Sequence, residues 1–450
     1  MDKHYKTKDL LKFAFPTIIM MIFVNIYGVV DALFVSNVEG DTAFSGMNLI
    51  LPYVMLLGTF GYMFGTGGSA LISKTYGEGD IEKGNRYFTM LVETMIGIGI
   101  ICAIVGYFTI KPVSQLFGAN EAMLKYCIDY GSIIVIFLPF FIVQNAFQSY
   151  MVLANKPNLG FVFCLIAGLT NTLGDFILIY VCRLGVKGAA IATGISQVVG
   201  ALLPICYIFI FKNKNQLRFT KPCYEIRPIV DAATNGLSEM IANVSMSLVN
   251  ILFNAQLMQY IGQDGVTAYG IIMYVGFLFT GVYFGYSIGV APIIGFQYGA
   301  KNHKELQSLL KKSLLIYVGF ALVCASSVIG LARVMASAFI RDNEELLNLS
   351  TLALRLYAIG YYISGFNIFI SSFFTDLNNG FVSGAISLAR TLVFQIVAIY
   401  VMPLMFGVNG LWLCILVAEF LSLIVSFGFL FAKNKQYHYF KDKELVVENK

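Results

Sequence analysis

Long apolar runs separated by short polar segments dominate the chain. Runs such as residues 13–35 and 96–110 hold few charges and lack the apolar–polar alternation of barrel strands. A helix that crosses a bilayer needs about 20 mostly apolar residues. The pattern therefore predicts about twelve membrane-spanning helices. They are expected near residues 10–35, 47–72, 87–110, 128–152, 159–181, 189–211, 230–258, 268–296, 308–332, 350–375, 380–403 and 409–432.

The sequence repeats at a spacing of 222 residues, so that Tyr76-Gly77 returns as Tyr298-Gly299. Six spans in each half give both halves the same orientation, related by an axis along the membrane normal. The predicted fold is an all-α membrane protein of two pseudo-symmetric six-helix lobes. Such a repeat indicates a transporter, because substrates bind between units that can move against each other.

A basic, polar stretch separates the two halves, and its two Lys/Arg-Pro steps disfavour helix. We therefore divide the chain into an N-terminal six-helix lobe, a cytoplasmic linker, a C-terminal six-helix lobe and a cytoplasmic tail. Their bounds are 1–211, 212–228, 229–432 and 433–450. The charged tail is expected to be partly disordered.

Composition agrees with a membrane location, since 58% of the residues are hydrophobic and only 12% are charged. With a cytoplasmic N-terminus, 22 of the 30 Lys and Arg residues lie on the inner side, 7 lie on the outer side, and Arg390 lies within a span. This asymmetry predicts that both termini are cytoplasmic. The net charge of +5 then reflects topology, and no nucleic-acid partner is expected.

Several sources of chemistry are missing from the sequence. It has no phosphate-binding Gly-x4-Gly-Lys-Ser/Thr loop, and its three histidines, His4, His303 and His438, fall in predicted tails or loops. The eight cysteines are scattered, without Cys-x-x-Cys spacing. We therefore expect no cofactor, no resident metal and no enzyme activity. Active transport would then draw on an ion gradient.

An ion-coupled transporter needs an ionisable group inside the membrane, and Asp31 and Asp175 are the leading candidates. With Asn171 and Thr193 they are predicted to lie about 6–9 Å below the outer ends of spans one, five and six. Their oxygens suit a proton, hydronium or Na⁺. The alternative is that both acids only reach the outer interface.

The second half lacks this set of residues. By the repeat, the counterparts of Asp31, Asn171 and Asp175 are Phe253, Thr391 and Gln395, and that of Thr193 is an apolar residue near 413–415. The ion site is therefore predicted in the N-terminal lobe only.

The sequence resembles the multidrug and toxic compound extrusion (MATE) family over about residues 8–432. The resemblance rests on Val-Val-Asp31-Ala-Leu-Phe-Val, on Tyr76-Gly77 with the charged loop after it, on Asn171-Thr-Leu-Gly-Asp175 and on Gly188-Ala-Ala-Ile-Ala-Thr193. It is nearest to the bacterial multidrug-efflux branch.

The resemblance implies two lobes in a V around a central cavity in the bacterial cytoplasmic membrane. It implies antiport of amphipathic, often cationic compounds against H⁺ or Na⁺. It also implies that Asp31, Asn171, Asp175 and Thr193 form the family's N-lobe ion site, and that Pro16 lies near the bend of the first helix. We expect a monomer whose partners are small amphipathic cationic substrates and membrane lipids.

The chain departs from the family branch that carries a sodium-binding carboxylate on span seven, because Met246 stands at that position. Span seven has instead a polar stripe at helical spacing, which is expected to line the substrate cavity. Interhelical hydrogen bonding is the alternative. The stripe consists of Glu239, Asn243, Ser247, Asn250 and Asn254.

Other intramembrane features have structural interpretations. Arg390 is expected to pair with a carboxylate, with Glu419 as one candidate. Asp376 lies near a span end and is expected to cap a helix or reach the interface. Glycines at helical spacing in spans two and eight are expected to allow close helix packing.

We conclude from the sequence that the chain is a secondary active antiporter that exports cationic amphipathic drugs or toxins by alternating access. Two alternatives stay open. A flippase of related architecture would need a cationic cavity for a lipid-linked pyrophosphate. A membrane-embedded enzyme would need a clustered catalytic set, and the absence of histidines from the predicted spans argues against it.

Overall fold

The computed structural model describes residues 4–39, 41–211, 216–340 and 343–440, and the side chains of residues 27–45 lie outside that description. Every regular element in the described ranges is helical. This follows from the apolar runs, because a segment inside a bilayer has to satisfy its backbone hydrogen bonds internally.

The first half forms eight helices. α2 continues into α3, and α5 continues into α6, so each pair makes one span. A 3₁₀ turn at Val135–Phe137 joins α5 to α6, and a π-helical turn at Phe176–Val181 extends α7. The helices are α1 (Thr7–Glu39), α2 (Asp41–Gly58), α3 (Phe60–Gly77), α4 (Ile81–Leu116), α5 (Glu121–Ile134), α6 (Leu138–Leu153), α7 (Pro157–Asp175) and α8 (Gly185–Ile210).

The second half repeats this arrangement after one short helix, α9. A π-helical turn at Ala389–Val393 lies between α15 and α16, in the fifth span of this half. The helices are α9 (Ile226–Asn235), α10 (Leu237–Tyr260), α11 (Gln263–Gly299), α12 (His303–Ser337), α13 (Glu344–Ala358), α14 (Tyr361–Asp376), α15 (Gly380–Leu388), α16 (Phe394–Ala432) and α17 (Asn434–Tyr437).

Within the described ranges, ten helical segments are long and apolar enough to cross a membrane, and the bent pair α13–α14 makes an eleventh. One of the ten, Gly380–Ala432, reverses direction at Gly407, where φ is +57°. Cys414 Sγ lies 3.2 Å from the carbonyl oxygen of Ala398, 16 residues earlier. A straight helix would separate them by about 24 Å. The segment therefore crosses twice, and the expectation of about twelve spans is confirmed.

Both described chain ends lie at one end of the bundle, the terminal end. His4 Nδ1 lies 2.6 Å from Glu305 Oε2, and Gln307 Nε2 donates to the carbonyl of His438 at 2.8 Å. Tyr439 is buried, so residues 433–440 are packed against the protein, while the rest of the tail, 441–450, lies outside the described residues. The aromatic side chains at 437 and 439 pack onto the second-half core, and this burial of apolar surface orders the segment.

Helix α1 belongs to the first half in sequence, but its beginning packs into the second half. Leu10 and Ala14 are fully buried in a cluster made mainly by α11, α12 and α14. The Tyr5 N–H donates to Glu305 Oε1 at 2.9 Å, and Lys312 Nζ contacts the Tyr5 carbonyl. Burial, together with the nearby Glu305 carboxylate, raises the pKa of the Tyr5 hydroxyl. The first helix therefore connects the two halves.

The described part of the linker follows one face of α4. Asn85 bonds the backbone of residues 216 and 218, Thr89 Oγ1 accepts from the Thr220 N–H at 3.0 Å, and the Tyr224 hydroxyl donates to Glu93 at 3.3 Å. These three anchors on α4 are four residues apart and share one face of the helix. They hold residues 216–224 against the first half.

The halves meet at the terminal end through close backbone contacts. A Cβ on Gly299 would lie 2.0 Å from the Lys74 carbonyl oxygen, and a Cβ on Gly77 would lie 2.1 Å from that of Phe296. Gly77 and Gly299 are counterparts in the sequence repeat, and they face each other across this interface. Asn378 adds a hydrogen bond between the halves, from its Nδ2 to the Ala70 carbonyl at 3.2 Å. We call these contacts the glycine seal.

Candidate functional site

Part of the predicted ion site assembles between α7 and α8. Asn171 is 2% exposed, and its Nδ2 donates to Thr193 Oγ1 at 3.2 Å. Asp175 is fully buried and lies one helical turn beyond Asn171, on the same face of α7. The π-helical turn Phe176–Val181 begins at the next residue. Such turns are frequent at functional sites.

The side chain of Asp31 lies outside the described residues, so its place in this site stays a prediction. Its helix, α1, packs against α7 and α8. Pro16 lies in the part of α1 next to Ala14 and Ile18, which touch α11. The backbone stays helical through Pro16.

In the second half an internal ion pair lies near the positions that correspond to the ion site. Arg390 Nε donates to the Glu419 carboxylate at 2.9 and 3.1 Å, which confirms the predicted pair. Asn367 Nδ2 donates to Glu419 Oε2 at 2.7 Å, and Ser426 donates to Asn367 at 2.9 Å. The Thr391 hydroxyl donates a hydrogen bond to the backbone carbonyl of Ser387, within the same span. A guanidinium therefore supplies the positive charge for the buried Glu419.

Arg390→Leu is expected to lower the free energy of unfolding by about 3–5 kcal/mol, because it leaves Glu419 buried without its counter-charge. The measurement is unfolding in mixed detergent micelles. The double variant Arg390→Leu/Glu419→Leu should recover most of the loss. Arg333→Leu is the matched control, since its pair with Glu344 is exposed and is expected to contribute less than about 1 kcal/mol. Equal losses in the two single variants would contradict the prediction.

The polar stripe on α10 has mixed surroundings. Asn250 Oδ1 accepts from the Tyr269 hydroxyl at 2.7 Å, and this bond joins α10 to α11. Asn243 Nδ2 donates back to the carbonyl of Glu239 at 2.8 Å. Asn254 Oδ1 is buried without a hydrogen-bond partner among the described residues. Of the stripe, Glu239 alone is among the described residues that line the cavity between the halves, and Ser247 is half-buried.

That cavity, the inter-half pocket, has a volume of about 20 Å³. α3 and α6 of the first half contribute hydroxyl groups to it, and α10, α11 and α14 of the second half contribute two acids, further hydroxyls and apolar side chains. Its lining consists of Thr66, Ser69, Ser149, Glu239, Phe284, Ser287, Ile288, Ala291, Ile368, Ser372, Thr375 and Asp376.

The position of Asp376 differs from the one expected from the sequence. The residue was expected to cap a helix or reach the interface, but it is 2% exposed and lines the inter-half pocket. Asp376 is the last residue of α14, and from the sequence alone a helix end is expected near the membrane surface. This end of α14 is covered, because Asn378 bonds Ala70 on α3 and Gly380 contacts α9. The sequence signal was the single acid within Phe373–Asn379.

The MatE family model matches residues 16–177 and 239–401, one stretch in each half. The chain therefore belongs to the MatE family, whose members are transporters and not enzymes. Its relatives include the multidrug export protein MepA of Staphylococcus haemolyticus, which is 23% identical over 430 residues, with 94% of this chain and 93% of that protein covered. MepA of Staphylococcus aureus is 23% identical over 423 residues, with 93% and 92% covered.

Solved structures share the whole fold. A MATE in complex with MaL6 superposes with a TM-score of 0.90 at 21% identity, covering 96% of this chain and 97% of that one. An outward-facing multidrug resistance MATE family transporter of the MOP superfamily gives 0.90 at 20% identity, with 96% and 97% covered. This likeness establishes the two-lobed, twelve-span architecture.

Proposed function

We propose that the chain is a secondary active antiporter that exports cationic amphipathic drugs or toxins in exchange for H⁺ or Na⁺. It works as a monomer in the bacterial cytoplasmic membrane, with both termini in the cytoplasm. Its moving units are the lobes 1–211 and 229–432, joined by the linker 212–228 and followed by the tail 433–450. The MepA relatives are multidrug export proteins, which supports this substrate class.

The observation that supports the proposal most is the inter-half pocket. Two similar halves close on it, and its lining in the described part of the chain includes two acids and no basic residue. An acidic pocket between units that can separate suits a cation that enters from one side and leaves from the other. Alternating access requires that substrate and ion bind the two states with different affinities.

The ion enters from outside at Asp31, Asn171, Asp175 and Thr193. Helix α1 transmits the effect of the ion, because α1 packs on α7 and its beginning is buried in the second half. A shift of α1 on ion binding therefore acts on both halves at once. Neutralising Asp175 lowers the electrostatic cost of its burial and favours one of the two states.

The flippase alternative has less support. A lipid-linked pyrophosphate needs cationic groups, and the Arg390 guanidinium is engaged by Glu419. Within the described lining of the inter-half pocket no Lys or Arg is present to take that role.

The test is dye efflux in everted membrane vesicles with an imposed pH or Na⁺ gradient. We expect a fluorescent organic cation to accumulate in vesicles that contain the protein only when one of the two gradients is present. In a one-for-one exchange of H⁺ for a monocation, one pH unit supports an accumulation of about tenfold. The gradient that drives accumulation, pH or Na⁺, identifies the coupling ion. If accumulation is the same with and without each gradient, antiport is refuted.

A further inference from the structure

Four carboxylates are buried in the described part of the chain: Asp175, Glu305, Asp376 and Glu419. Glu305 binds the Tyr5 N–H and His4, Glu419 binds Arg390, and Asp175 lies in the predicted ion site. Asp376 differs from the others, because its Oδ2 has no hydrogen-bond partner among the described residues. Burying a carboxylate without a hydrogen-bond partner costs free energy. The presence of Asp376 here therefore indicates a ligand.

The surroundings of Asp376 define a site. It faces the inter-half pocket together with Glu239, and the two acids act on each other electrostatically. Ser69 Oγ lines the same pocket from the first half and also lacks a hydrogen-bond partner among the described residues. Two acids from the second half and an open hydroxyl from the first half thus face one space.

The hydroxyl of Thr375, next to Asp376, is held in place by a chain of buried hydroxyls. Thr375 Oγ1 lies 2.7 Å from Ser383 Oγ, which lies 3.1 Å from Ser371 Oγ, and Ser238 Oγ lies 3.3 Å from Thr375 Oγ1. This network fixes the last turn of α14 against α10 and α15. The position of Asp376 in the pocket is therefore preorganised.

Among the described residues, three other titratable groups act on this pair: Tyr62 and Arg390 on Glu239, and Tyr317 on Asp376. Arg390 is the one cation among them, and its Nε is committed to Glu419. One guanidinium that is shared with Glu419 cannot balance both acids of the pocket, so further positive charge has to come from a proton or a ligand.

In this structure the volume of the pocket decides whether a proton or an organic ligand can supply that charge. About 20 Å³ is close to the space that one water molecule needs and excludes any organic cation of drug size. Asp376 is also two residues from Asn378, which bonds Ala70 across the glycine seal. Opening the seal would enlarge the pocket and bring water to Asp376, so the seal controls which cation the acids can take.

We propose that Asp376 and Glu239 form a subsite for the charged nitrogen of an organic ammonium cation, which competes there with protons. This rests on the proposed function and places substrate exchange in the second half, apart from the ion site at Asp175. In the open state the cation binds, and the displaced proton goes from the carboxylic acid to water. When the seal closes, the cation leaves, and a proton returns to the carboxylate, so charge balances.

The test uses ethidium as a probe, with purified full-length protein in detergent. Binding is followed by fluorescence anisotropy, and proton release by a pH indicator in weak buffer. Wild type is expected to release protons as ethidium binds. Asp376→Asn and Glu239→Gln should each weaken binding by about tenfold or more, the effect of losing about 1.4 kcal/mol of attraction, and should release fewer protons.

Two further variants separate a lost charge from a damaged fold. Asp376→Glu keeps the charge and should retain most of the binding. Asp231→Asn removes an exposed acid on α9 and should behave as wild type. If Asp376→Asn does not fold, the binding of ethidium to Glu239→Gln and the proton release by wild type still test the subsite. Wild-type affinity and proton release in Asp376→Asn or in Glu239→Gln would overturn the proposal.

The proposed function and this subsite can fail separately. Asp175→Asn should bind ethidium at equilibrium although gradient-driven export is lost. Charge-dependent ethidium binding without gradient-driven export in wild type would refute antiport and leave the subsite standing. Export that is unaffected by Asp376→Asn and Glu239→Gln would refute the subsite and leave antiport standing.

Discussion

Asp175→Asn is expected to yield a folded, membrane-inserted protein that no longer drives efflux. The amide keeps the size of the side chain and can still hydrogen-bond, but it cannot alternate between a charged and a neutral form. The ion then no longer binds the two states with different affinity, and the gradient cannot shift their populations. In everted vesicles we expect the gradient-driven accumulation, which is about tenfold per pH unit for a one-for-one exchange with H⁺, to fall to the level without a gradient.

The matched control for this variant is Asp129→Asn. Asp129 also belongs to the first half, but it is partly exposed and pairs with Lys187 at 3.3 Å. Its neutralisation should change efflux little, because exposed ion pairs contribute little free energy. Thermal stability in detergent should stay within a few degrees of wild type for both variants. Wild-type efflux by Asp175→Asn would refute its assigned role.

Gly299→Val is expected to prevent the halves from closing at the terminal end. A Cβ at this position would lie 2.0 Å from the Lys74 carbonyl oxygen, a distance that real Cβ atoms essentially never show, and the obstacle is backbone. The halves would have to separate to make room. We expect transport to fall by at least tenfold, since a state that the cycle needs becomes inaccessible, at a cost of more than about 1.4 kcal/mol.

The measurement for Gly299→Val is the distance between spin labels on the two halves, placed at Glu78 and Lys304 on a cysteine-free background. The variant should show longer distances than the parent protein. Gly330→Val is the control, because a Cβ there meets no heavy atom within 4 Å, while the cost of valine in a helix is the same. Unchanged distances and unchanged transport in Gly299→Val would contradict the role given to the seal.

Much of the fold follows from the sequence. The bilayer sets the length of each apolar run, which is why about twelve spans and the reversal near Gly407 were predictable. The Arg390–Glu419 pair was also predictable, because a charge inside a membrane needs a partner. Asn171 and Thr193 were expected together, since their depths follow from the helical rise, and they are within hydrogen-bond distance.

Other features depend on how the two halves dock, which periodicity does not encode. Depth along a helix says nothing about which helix of the other half lies opposite. For that reason the sequence alone places Asp376 at a peripheral helix end, although it is buried between the halves. The packing of Leu10 and Ala14 into the second half was likewise hidden, because an apolar face suits lipid and protein equally well.

The position of α1 has a consequence for biosynthesis. The Tyr5 N–H bonds a residue that the ribosome adds 300 positions later. At about 5–20 residues per second, the amino-terminal helix waits roughly 15–60 s for that partner. During this interval lipid or an insertion factor has to cover the helix face that Leu10 and Ala14 later bury. Residues 1–211 expressed alone would keep this face uncovered.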